Sequence, residues 1–485
     1  MPDTLAQRLA RFATESTYDS LPPAVISSVR ERVLDILGIC AAATELETSR
    51  AAMAWVCAQG GVPHATAIGV RKRVPAAQAA FVNGVLAHSL DYDDTHLPSV
   101  LHPSASVIPA ALAAAQASGA DGRATIAAIA VGIEVCVRIG MAGYDHESGN
   151  STFFEHGQHA TSICGALGSA VAAGMLLGLD EAGLTNVLGV AASMASGIIE
   201  SNRTGGTVKR MHCGWAAHSG VSAAQLVALG FSGPPTALEG RFGFFQAWLH
   251  GIFNPDEITG GLGTQWSVPG IFFKPYPANH LTHAAIDAAL ALRADGLDPD
   301  QIESITVGVA GPTVRTIGEP IDVKQAPDTG YMAQFSAPFV VAAALLGGSG
   351  LGLGLDDFTD EKAHDPRHRA LMAKVDVVAD PECDEIFPHQ FPAVVRVRMT
   401  DGREFVEKVL ANRGGPGHPL SYDELGTKFA DNAGRVLDAD AVRSIRNGVA
   451  GMERLADVGE LLKPMEQLDS AHPTTDDESK ENLDV

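Results

Sequence analysis

The stretch "IESITVGVA", residues 302–310, decides how the chain is divided. Its β-branched residues alternate as a half-buried strand requires, and nothing before it reads this way. Up to about residue 255 the pattern is helix after helix: 24–43, 76–90, 104–118, 123–142, 160–177, 181–196 and 212–229, punctuated by Gly and Pro. After it come "KVDVVAD" (374–380), "AVVRVRMT" (393–400) and "EFVEKVL" (404–410), with Asp401-Gly402 as a hairpin turn and helices at 280–295 and 330–346 among them. The chain then returns to helix in "DADAVRSIRNGVAGM" and "LADVGELLKPM". The pattern predicts a mainly α protein. A large all-helical domain is built from two chain segments, 1–265 and 411–465. A smaller α+β lid domain, 266–410, is inserted between them, and residues 466–485 form an acidic, disordered tail.

The bulk numbers bound the function. The 485 residues are 46% hydrophobic and carry a formal net charge of −23, which argues against nucleic acid or an anionic membrane as partner. An anionic ligand then needs a local basic island. The six cysteines are scattered without CxxC spacing, four in apolar helical contexts, and read as buried reduced thiols of a cytoplasmic protein. "MPDTLAQRLARFA" reads as an amphipathic helix rather than a signal peptide. "ATIAAIAVGIEVCVRIGMAG" carries Glu134 and Arg138 and reads as a buried helix rather than a membrane span.

Three stretches could carry chemistry. Residues 88–102, inside "LAHSLDYDDTHLPSVLHPSAS" (86–106), hold three aspartates and three histidines in fifteen positions between two apolar helices. So many ionisable groups beside a helical core must be paired or used. Asp93 and Asp94 read as structural groups of a turn, while His102 precedes an apolar helix with no polar partner nearby in sequence. D-x-D-D-x-H could supply metal ligands, but no HExxH, CxxC or second cluster accompanies it, and "HDPRH" (364–368) reads as a surface loop. The first basic island is the acid-free window from Glu200 to Glu239, with Arg203, Lys209, Arg210, His212 and His218 leading into a helix. A second acid-free window, 258–286, contains "FFKPYPANHLTHAAID", where Lys274 follows three apolar residues and His280 and His283 share a helix face. "FFEHGQHATSICGALG" adds His156 and His159 before another helix. A carboxylate–histidine group with two cationic loops suits proton transfer next to a carboxylate, with lysines holding a polyanion.

The motifs "LAHSLDYDDTH…LHPSASVIPA", "GTVKRMHCGWAAHSG", "GFSGPPTALEGRFGF" and "KPYPANHLTHAAIDAAL" resemble the MmgE/PrpD family, in order and over all but the tail. That family includes 2-methylcitrate dehydratase, cis-aconitate decarboxylase and iminodisuccinate epimerase. The resemblance implies a homodimer that uses no metal or organic cofactor. It also implies a cleft between the domains, with Asp91, His102 and Lys209 on the helical side and Lys274 on the lid side. His102 would be the acid/base, tuned by Asp91, with Lys209 and Lys274 on substrate carboxylates. Thr95, His159, Arg210, His212, Asn279 and His280 would bind substrate. Two positions depart from the decarboxylase branch: Asn279 stands where that branch has a histidine, with His280 beside it, and 309–320 lacks the branch's tyrosine.

The expectation is a lyase, of dehydratase or decarboxylase type, for a small di- or tricarboxylate. Two alternatives stay open: an epimerase working through the same carbanion, and a non-catalytic carboxylate-binding protein.

Overall fold

Alanine and glycine dominate the central helices, and small side chains let helices approach until backbones touch. The computed structural model describes residues 2–147, 149–201 and 205–468; the acidic tail predicted from residue 466 lies almost wholly outside them. The helices Ala76–Ala87, Ser104–Ser118, Gly122–Ala142, Ala160–Leu176 and Val208–Ala228 pack on one another, with Pro23–Ala43 against the first three of them. A Cβ on Gly84 would stand 2.7 Å from the Gly214 Cα, so no larger residue fits where those two helices cross.

Gly122–Ala142 is apolar and long enough to cross a membrane by composition, yet it is buried inside this bundle. Its two charges are used. Arg138 Nε lies 2.7 Å from Glu134 Oε1, and the guanidinium also donates to the carbonyls of Ile258, Gly260 and Gln265 at 2.8–3.0 Å. Glu134 accepts from the Ser267 N–H at 2.7 Å. The pair thus pins the 258–267 loop that leads towards Lys274.

The inserted unit is built on a four-stranded sheet. Ile302–Val309 is flanked by Val375–Ala379, parallel, and Ala393–Met399, antiparallel, and Glu404–Val409 closes the order through the predicted hairpin. The helices His283–Ala294 and Ala337–Leu346 pack together, the first of them against the sheet. Pro338 opens the second helix, which is why the predicted 330–346 helix divides into Gly330–Ala333 and Ala337–Leu346.

The hydrophobic cores divide where the chain crosses. One core draws on residues 5–271 and 429–468, the other on 276–409. Val268 and Ile271 therefore belong to the helical core, and the crossing lies later than residue 266. The return segment docks through Tyr422–Ala433 on Pro23–Ala43. His368 corrects the surface-loop reading of "HDPRH": it is buried in the Pro366–Met372 helix, stacked on Phe339. Of the six cysteines, all but Cys57 are buried, and all are free.

Candidate active site

The loop 88–102 is held open by two residues with left-handed backbone, Asp91 (φ 52°) and Val100 (φ 54°). Strain of this kind persists only where the surroundings over-determine it, and here buried charges do so. Asp94 accepts from Arg32 at 2.6 Å, from the Ser104 N–H at 3.2 Å and from the Ser104 hydroxyl. Arg32 also donates to the carbonyls of Val268 and Ile271. Lys428, from the return segment, pairs with Asp35 at 2.6 Å and donates to the Tyr92 carbonyl at 3.0 Å. Thr95 and Phe272 exchange backbone hydrogen bonds at 2.8 and 2.9 Å, while the Phe273 N–H donates to Gly414. Three distant stretches are thereby locked together, and the segment carrying Lys274 is fixed on both sides.

Lys274, 2% exposed, stands 3.3 Å from Asp91 Oδ2 and donates to the Asp91 carbonyl at 2.9 Å. Lys209 reaches Asp91 Oδ1 at 3.6 Å. Burial pushes the Asp91 carboxyl up, but the two lysines, with His102 and His88, outweigh it and hold the group well below the usual carboxylate range. Burial works against the Lys209 charge, and Asp91, with Tyr331 and Asp93, carries it above its ordinary value.

His102 donates to no carboxylate directly. Its Nδ1–H donates to the Asp94 carbonyl at 2.6 Å, with Thr95 Oγ1 3.4 Å away and Asp93 Oδ2 at 4.0 Å. That carbonyl fixes the tautomer and leaves Nε2 without a hydrogen-bond partner among the described residues. Burial lowers the imidazole to about 4, against the pull of Asp93. The resemblance had implied that Asp91 orients or tunes His102; its carboxylate instead bridges the two lysines, and His102 is oriented by the Asp94 carbonyl.

The remaining predicted residues are distributed as follows. His212 and His159 face each other, Nδ1 to Nδ1 at 2.9 Å, and His159 makes no side-chain cap to the helix after it. The helix predicted from 212 begins at Val208, so Lys209 and Arg210 lie in its first turn rather than ahead of it, with His212 just beyond; Arg203 is outside the described residues. Arg210 donates to Thr48 Oγ1 at 2.9 Å and does not reach Asp91. The Asn279 carboxamide oxygen caps its own turn, accepting from the Leu281 N–H at 3.1 Å. His280 is buried beside Phe272 and His283.

Three contributors were not foreseen. His88 donates from Nδ1 to Asp93 Oδ2 at 2.7 Å, and its ring centre lies 5.4 Å from that of His102 and 5.6 Å from that of His159. Asp93, read as structural, therefore belongs to this cluster, lowered to about 2 because His88 and His102 outweigh its burial. The five-residue spacing of His88 and Asp93 was visible in sequence, but no helix or strand period brings such a pair together. Tyr331, in the inserted unit, sets its ring 5.5 Å from the Arg210 guanidinium. No local signal points to it. Among the described residues no group of three His, Cys, Asp or Glu side chains is arranged to hold a metal.

A buried carboxylate between two lysines, next to a neutral imidazole with one free nitrogen, is the equipment of an acid–base enzyme for polyanions. Residues 7–255 match the MmgE/PrpD N-terminal domain and residues 276–454 the MmgE/PrpD C-terminal domain. The chain belongs to the MmgE/PrpD family and is a lyase. Among its relatives, the cis-aconitate decarboxylase of Mus musculus is 31% identical over 407 residues, 81% of this chain and 78% of the relative. That of Homo sapiens is 31% identical over 400 residues, 79% and 78% of the two chains. An Aspergillus terreus cis-aconitate decarboxylase is 25% identical over 483 residues, 95% of each chain.

Proposed function

We propose that this lyase is a cofactor-independent carboxy-lyase for a small unsaturated tricarboxylate of the cis-aconitate type. The observation that carries the reading is the convergence of Lys209 and Lys274, 65 residues apart, on Asp91 beside neutral His102. The relatives named above support decarboxylation over dehydration. The two departures do not oppose it, since His280 adjoins Asn279 and Tyr331 reaches Arg210 from the inserted unit.

Asp91 holds both ammonium groups in place and favours the charged form of Lys209. A bound polyanion takes over the lysines, and its added negative charge draws a proton onto His102 Nε2. The carbon–carbon bond to one carboxylate breaks, CO₂ leaves, and the electron pair moves allylically into the dienolate held by the lysines. Imidazolium His102 then gives its proton to carbon.

Proton and carbon NMR of the purified enzyme with cis-aconitate in D₂O, chelator present, tests this. Release of CO₂ with one deuterium in the product supports the reading. Hydration, or exchange at an α-carbon without CO₂, would replace it with a dehydratase or an epimerase.

A further inference from the structure

The two ends of the site differ in charge. At one end Lys209 and Lys274 meet Asp91. At the other, His280 is 5% exposed, and both of its ring nitrogens are buried without a hydrogen-bond partner among the described residues. Its ring centre lies 5.8 Å from that of Phe272, 5.7 Å from that of Phe391 and 4.7 Å from that of His283. These neighbours are fixed elsewhere. Phe272 is bonded to Thr95 through its backbone, the Phe391 N–H donates to Asn412, and His283 Nε2 donates to the Ala278 carbonyl. A buried imidazole with neither nitrogen satisfied is costly unless a ligand completes it. His280 packs on Phe272, which is bonded through its backbone to Thr95 and stands two residues before Lys274, so the ring lies beside the segment that carries that lysine; burial, then His283, Lys274 and His102, lower the imidazole, while Asp91 pulls the other way.

We infer that His280, with Phe272 and Phe391, forms the subsite for the carboxylate that leaves as CO₂. This rests on the decarboxylation reading above. The leaving carboxylate loses its charge as its carbon–carbon bond breaks, so its departure is favoured where water and cations are excluded. A cation there would stabilise the bound carboxylate and be wasted at the transition state. A neutral N–H orients the group without holding its charge. The electron pair of the broken bond passes into the system whose remaining carboxylates lie on Lys209 and Lys274, and His102 supplies the one proton consumed per CO₂ released. The charge pattern of the site therefore selects which carboxylate is lost.

The test is steady-state CO₂ release from cis-aconitate by the full-length wild type, H280F, H280K and H280N. H280F should raise KM while keeping kcat within about threefold, because an apolar wall still favours loss of charge. H280K should lower KM at least about threefold and lower kcat at least about tenfold, the split expected when a ground state is over-stabilised. H280N, which keeps a neutral donor, should raise KM less than H280F does, with kcat lowered less than in H280K. A loss of kcat beyond about hundredfold in H280F, with cis-aconitate still bound, would make His280 an acid or base and overturn the subsite. So would an unchanged or raised kcat in H280K. Should H280K fail to fold, the kcat of H280F and H280N decides alone. A wild type that releases no CO₂ overturns the functional reading and the subsite with it; a decarboxylating wild type with the contrary variants overturns only the subsite.

Discussion

Lys274 and Asp91, 183 residues apart, are joined twice, ammonium to carboxylate at 3.3 Å and ammonium to the same residue's carbonyl at 2.9 Å. The double contact ties the chain crossing to the strained loop, so substrate grip and loop conformation depend on one ion pair. Truncating one partner leaves the other's charge buried, which costs about 3–5 kcal/mol. K274M and D91N should each destabilise strongly, and the double variant should cost less than their sum by about 1.5–3 kcal/mol. Urea unfolding of the four proteins measures this, and additive losses would refute it.

His102 carries the proton in the proposed reaction, and its Nδ1 is committed to a backbone carbonyl. H102Q should lower kcat by about 10²–10⁴-fold while cis-aconitate still binds, as followed by calorimetry. Retained turnover with deuterium in the product would remove His102 from the role.

Acid should destabilise the fold through its buried histidines. Burial lowers His96, His102 and His212 to about 4 and His283 to about 3, so each is charged more readily in the unfolded chain than in the folded one. The unfolded state therefore binds more protons between the ordinary histidine value and about pH 4. Stability is full above about pH 6.5 and falls as pH drops, by up to about 1.4 kcal/mol per pH unit for each net proton. Asp35, raised to about 6 by burial against the pull of Lys428, opposes one of these protons. Asp93, at about 2, extends the loss to lower pH. Thermal melts from pH 7.5 to 4.5 should show a falling midpoint; a flat profile would contradict the burial of these rings as neutral groups.

Tyr331 connects the inserted unit to the cationic helix start. Y331A should raise KM for cis-aconitate about fivefold through loss of the ring on Arg210, with Y331F nearer wild type. Equal effects in the two variants would assign the role to the hydroxyl instead.

Ile198, Leu229, Phe231, Phe242 and Ile252 are each at least 60% exposed on the helical domain. Large apolar side chains left in water favour association, and sedimentation should return about twice the chain's 50.5 kDa. A monomer at micromolar concentration would refute the expected homodimer.

The sequence by itself determined the elements. Helical periods, the β-branched strands around residue 302 and the Asp401-Gly402 turn are local signals, so the helical domain, the inserted sheet and the hairpin were legible from them. It also marked the residues with chemistry, because aspartates, histidines and lysines stand out in alanine-rich surroundings. Only the tertiary structure decided their partners. That Asp91 lies between Lys209 and Lys274, that Asp93 pairs with His88, and that Tyr331 meets Arg210 are contacts between side chains set by tertiary packing. The buried Arg32–Asp94 and Lys428–Asp35 pairs join residues 62 and 393 positions apart, and no periodicity along a chain encodes such a meeting. Charge and pKa at the site follow from these meetings and from burial, and both belong to the folded molecule.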